Sequence, residues 1–71
     1  MRVRIDTREY ELSRMRKPRG RDVWWFTVKV DGQDVGEFLR NGTYTWAKQS
    51  VIARLREKHP GADEAVIVVM P

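Results

Sequence analysis

The stretch Val23–Val30, VWWFTVKV, followed at once by Asp31-Gly32, decides how the rest of the chain folds. Its β-branched and aromatic residues suit a pleated surface, and their alternation puts Trp24, Phe26, Val28 and Val30 on one side. Val23, Trp25, Thr27 and Lys29 fall on the other. The first set is wholly apolar and large, so it is the predicted core face. Asp-Gly tolerates positive φ at both positions, which is the chemistry of a two-residue hairpin turn. A partner strand is therefore expected over about Gln33–Leu39, with Gly36 allowing a bulge or a close approach.

Toward the C-terminus, Asn41-Gly42 reads as a turn and Thr43 or Thr45 as a helix N-cap. From there to His59, Ala47, Val51 and Leu55 recur at helical spacing, flanked by Tyr44 and Ile52. Lys58 and His59 suit the negative end of the helix dipole, and Pro60-Gly61 stops the element. Ala65–Met70, AVIVVM, is apolar on both faces, a pattern that needs cover on both sides. One helix covers one face only. The other calls for a loop, for Trp25, or for a second subunit.

Toward the N-terminus, Val3 and Ile5 alternate with Arg2 and Arg4 as in a strand with one apolar face. Tyr10 and Leu12 sit on the opposite parity, so either a bulge falls near Thr7–Glu9 or two short strands meet there. Arg14–Asp22, RMRKPRGRD, holds Pro18 and Gly20 and no periodicity, and reads as a hairpin loop. The predicted fold is a single α+β domain over residues 1–71, in the order β-β-β-α-β. Its three- to four-stranded, mostly antiparallel sheet carries one helix on one face. The crossover rule favours a final strand parallel to its neighbour, most simply the first strand.

Composition narrows what such a domain does. With 71 residues and no cysteine, disulfides and thiolate metal sites are excluded, and a core this small supports only a few kcal/mol of net stability. Oligomerisation is the remaining way to bury more surface. No apolar run approaches the ~20 residues of a membrane span, and no signal-peptide core follows Met1, so the expected location is the cytoplasm, of a cell or of one infected by a phage or mobile element. His59 is the only histidine and lies at a helix end, where capping explains it without chemistry. Asp31, Asp34 and Glu37 cluster around the hairpin, where a divalent ion is one reading and a solvated turn the preferred one, and the five glycines are dispersed rather than gathered in a phosphate loop. The chain is expected to have no catalytic residues, no metal site and no cofactor.

Charge is more telling by position than in total. Residues 1–30 carry nine Lys and Arg against four acids, whereas residues 31–71 carry five against six. Arg14, Arg16, Lys17, Arg19 and Arg21 place five cations in eight residues, stiffened by Pro18. Such a loop either neutralises several phosphates while releasing counterions, or is a solvated surface loop. Trp25 lies beside Thr27 and Lys29 on the face away from Trp24, as a stacking platform or as a side chain packed under the loop or the last strand. Trp46, next to Lys48, either anchors the helix start to a loop or flanks a groove, and Lys48 extends the basic surface.

Two families share parts of this pattern. Tyr10–Leu55 resembles the β-β-β-α portion of double-stranded-RNA-binding domains, through Tyr10-Glu11-Leu12, Phe26–Gly32, Val35-Gly36-Glu37 and the helix start Thr43–Gln49. In that family lysines at the helix start grip phosphates; here Lys48 matches one, and Tyr44 and Thr45 stand where others are expected. The family's first helix has no counterpart in the predicted order, and the last strand is additional. The same order is similar to the three-stranded-sheet DNA readers, the AP2 and integrase arm-type domains, through the Arg14–Arg21 loop, Trp25, Gly36 with Phe38, and the helix. Both resemblances imply a helix-backed sheet that binds a polyanion.

The function expected on these grounds is nucleic-acid binding, DNA or RNA, with a duplex favoured. Arg14, Arg16, Lys17, Arg19 and Arg21 supply phosphate contacts, Trp25 and Lys29 sheet-face contacts, and Lys48 an auxiliary cation. The alternative is a small protein-interaction module, an accessory or inhibitor protein. It would use the tryptophans and the Ala65–Met70 region, the latter as a homodimer surface.

Overall fold

A computed structural model describes residues 1–71, and their order is β1 (Arg2–Asp6), α1 (Arg8–Arg14), β2 (Arg21–Val30), β3 (Gln33–Thr43), α2 (Tyr44–Lys58) and β4 (Glu64–Met70). The fold is α+β. Its four strands form one mixed sheet in the order β1-β4-β2-β3. Central β2 runs antiparallel to both neighbours, and β4 lies parallel to β1, the neighbour expected for it.

The alternation in β2 sets the core. Trp24, Phe26, Val28 and Val30 are all buried, and across the β2–β4 ladder Val69, Ile67 and Ala65 continue the same face. Ala47, Val51 and Leu55 of α2 and Tyr10 of α1 close over them. Both helices thus lie on one side of the sheet. The hairpin forms at Asp31-Gly32, with φ of 49° and 80°, and the Asp31 carboxylate accepts from the amides of Asp63 and Glu64 at the entry to β4.

Three expectations are corrected. The first concerns Tyr10 and Leu12, which change parity because residues 8–14 form a helix and not a bulge or second strand. Arg8, Glu9, Glu11 and Leu12 are good helix formers, and Glu9 and Glu11 oppose the dipole at its positive end. The Thr7 hydroxyl donates to the Glu11 carboxylate, and Met15 closes the element in the left-handed region at φ 57°. The order is therefore β-α-β-β-α-β, with two helices rather than one.

The second correction follows from the first. The basic stretch is not a hairpin loop but the connection from α1 to β2, with Arg14 ending the helix and Arg21 opening the strand. The third is at Asn41-Gly42, which continues β3 instead of turning, because β2 begins early enough to pair with it (Val23 with Asn41, Arg21 with Thr43). The chain passes straight from β3 into α2. Gly42, at φ 152°, lets the Trp46 ring lie against its Cα, where a Cβ would stand 3.1 Å from the ring. The Thr43 hydroxyl then accepts from the Trp46 amide as the N-cap.

Candidate functional site

Two of the predicted cations, Arg14 and Lys48, stand against a cluster of three aromatic rings, and Arg16, Lys17 and Arg19 lie on the connection that leads from Arg14 to Arg21. Tyr10 and Tyr44 flank Trp24, with ring centres 5.5 and 5.0 Å from it. The Arg14 guanidinium lies 5.6 Å from the Tyr10 ring centre, and the Lys48 ammonium 5.1 Å from that of Tyr44. Cation–π attraction of this kind holds charged heads over the ring faces without neutralising them. Burial, with the nearby Glu11 carboxylate, pushes the Tyr44 hydroxyl above its ordinary pKa, so this ring stays neutral beside the cations.

The connection is tied to this cluster at its far end. The Tyr44 amide donates to the Gly20 carbonyl at 2.8 Å, and the Trp24 indole donates to the Gly42 carbonyl at 3.0 Å. The first bond seats the end of the basic segment beside the start of α2, whose first turn carries no acid, and the second ties Trp24 to β3. The positive end of the helix dipole therefore adds to the same field. Arg14, Arg16, Lys17, Arg19 and Arg21 are all exposed, and none forms an ion pair. The nearest acid in sequence, Asp22, accepts from the Val23 amide. The single ion pair in the chain joins Arg8 to Asp6 at 2.9 Å. That contact holds the Asp6 carboxyl down at about 2.

Trp25 and Lys29 do not join this cluster. Both lie on the sheet face opposite the helices, which no other element covers. Trp25 is half-buried between its cross-strand neighbours Leu39 and Met70. Lys29 sits at the far end of β2, about 26 Å from Arg21 along the strand at ~3.3 Å per residue. It stands instead in a shallow depression with Arg4, Asp34, Val66 and Val68. Arg4 and Asp34 were not among the expected sheet-face contacts: Asp34 was read as part of a solvated turn, and strand parity assigned Arg2 and Arg4 only to the face away from Val3 and Ile5.

The remaining candidates have settled places. Trp46 is 53 % exposed and rests on Gly42 at the helix start, the anchoring role, at the rim of the basic end. His59 caps α2, its amide donating to the Leu55 carbonyl at 2.8 Å. No three His, Asp or Glu side chains gather as a metal site would require, and no helix is long and apolar enough to cross a membrane.

Comparison with known proteins returned no matching family model, no matching curated protein and no matching solved structure.

Proposed function

We propose that this chain is a non-catalytic nucleic-acid-binding module of the cytoplasm, whose site is the α1–β2 connection with the start of α2. The observation that carries this reading is the set of five exposed cations, Arg14, Arg16, Lys17, Arg19 and Arg21, with no acid paired to any of them. An unpaired cation gains most from a phosphate, because contact releases the counterions condensed on the nucleic acid and no internal ion pair must first be broken. Lys48 and the acid-free first turn of α2 extend the same positive surface. Anchoring through Gly20 and Gly42 limits the ordering that binding would otherwise cost.

The engagement of the site's aromatic rings favours a duplex over a single strand. The two tyrosines at the site are occupied by Trp24 and by the cations, so they offer backbone contacts rather than open stacking platforms. Arginine outnumbers lysine four to one in the segment, which suits bidentate phosphate contacts. The test is a binding titration at low salt against duplex DNA, duplex RNA and single strands of each. Binding to a duplex that fades as salt is raised supports the reading. Failure to bind any of the four removes it.

The alternative, a protein-interaction module, draws support from a different surface, the uncovered sheet face. Val23 and Leu39 there are 58 % and 64 % exposed.

A further inference from the structure

The face of the sheet away from the helices is open and carries a sorted pattern of apolar and charged side chains. Its cross-strand rows follow from the register. Met70, Trp25 and Leu39 stand side by side, and Val68, Thr27 and Glu37 form the next row. Then come Arg4, Val66, Lys29 and Asp34 across all four strands, and beyond them Arg2 beside Glu64. Thus the face is apolar around Trp25, with Val23 beside it and Arg21 at the very start of β2, and its other end carries three cations (Arg2, Arg4, Lys29) and three acids (Glu64, Asp34, Glu37). Asp6 also lies in the Val68 row, but its carboxylate is engaged by Arg8. An end with balanced charge gives a polyanion no net attraction. A protein suits it better.

The signs are also sorted by edge. Arg2 and Arg4 lie on β1, one edge of the sheet, and Asp34 and Glu37 on β3, the other. We propose that the partner is a second copy of this chain, packed face to face about a two-fold axis that runs along the strands between β4 and β2. That operation lays β1 over the second copy's β3 and β4 over its β2. Arg4 then meets the second copy's Asp34 in the same row, Met70 meets its Trp25, and Asp6, already paired with Arg8, faces its Glu37, each contact occurring twice as an isologous interface requires. The face also matches the size of such an interface. Four strands ~4.8 Å apart, with β2 ten residues long, offer roughly 500 Å² per copy, in the range of a concentration-dependent dimer rather than a permanent one. The axis keeps both β2 starts at the same end, so the two basic connections stand side by side. The pairing itself does not depend on the nucleic-acid reading.

The test is sedimentation equilibrium of the full chain over a concentration series, without nucleic acid. The parent is expected to rise from the mass of one copy to that of two. Val68→Lys buries an unpaired charge in the dimer only, and raises the dissociation constant by about a hundredfold or more. Arg4→Glu weakens association and Arg4→Glu/Asp34→Arg recovers it, with circular dichroism confirming that each variant keeps the fold. A parent that stays at one copy at every concentration overturns the proposal and leaves the face to a different partner. A dimer indifferent to Val68→Lys overturns it by placing association on another surface. Failure of the charge exchange to recover the dimer overturns the axis.

Discussion

Replacing Arg16, Lys17 and Arg19 together with alanine tests the basic connection through a quantity that the structure sets. The three side chains are exposed, and none makes a hydrogen bond or ion pair, so the folded state should keep its stability. Binding should change in a defined way. For a duplex, the slope of log K against log salt is about −0.9 per phosphate neutralised. If all five cations of the segment engage, the parent slope is about −4.5, and the variant, left with Arg14 and Arg21, falls to about −1.8. Between about 50 and 200 mM salt the parent then loses affinity about 500-fold and the variant only about tenfold. Fluorescence anisotropy with a labelled duplex at four or five salt concentrations gives both slopes. Equal slopes would show that phosphates contact some other surface, and a parent slope near zero would show that they contact none.

Three further outcomes follow from the core and the termini of its elements. Leu55→Ala should cost about 2–5 kcal/mol in urea unfolding, because Leu55 is fully buried beneath both the sheet and its own helix; a loss below about 1 kcal/mol would mean that the site collapses freely. Tyr10→Phe should leave stability unchanged or raise it by up to ~1 kcal/mol, since the Tyr10 hydroxyl is buried without a hydrogen-bond partner; a clear loss in thermal unfolding would reveal one. Asp6 has a folded pKa lowered from 3.8 to about 2, chiefly by the hydrogen bond from the Arg8 side chain, so it binds fewer protons folded than unfolded near pH 3. Its contribution is present above about pH 4 and is lost as pH falls toward 2, and Asp6→Asn should flatten unfolding stability in that window while leaving it unchanged in shape at neutral pH.

The parts of the fold that were legible in the sequence are those where a period repeats often enough to be unambiguous. β2 alternates over eight residues and α2 holds three stripe positions four apart, and both stand where the pattern puts them. Asp31-Gly32 names its own turn. α1 was not legible because seven residues complete only two turns, and it buries one side chain, Tyr10. A single buried residue has no period. What the sequence did show was a parity slip, which a strand with a bulge and a short helix produce equally well. Thr7 and Glu11, four apart and hydrogen-bonded, were the available signal for the helix. Asn41-Gly42 misled for a related reason. Local turn chemistry was outweighed by ladder pairing with Arg21–Val23, a contact some twenty residues away that only the tertiary structure supplies.

The site divided differently from the fold. Arg14, Arg16, Lys17, Arg19 and Arg21 are contiguous in sequence, so they stay on one connection whether it joins two strands or, as here, a helix to a strand. Lys48 joined them because α2 starts where the connection ends, a closeness fixed by the Tyr44–Gly20 bond. Trp25 and Lys29 were grouped with the loop because they share its strand, yet a strand separates residues as steadily as it aligns them. Strand parity had already placed both on the face opposite Trp24; the length of β2 then carries Lys29 away from the basic end. There its neighbours are Asp34, Arg4 and Val66 rather than the unpaired cations. Positive charge is therefore not one property of this chain but two. At the α1–β2 connection it is unopposed, as the proposed polyanion site requires; on the open face it lies among acids, as the proposed pairing of two copies requires.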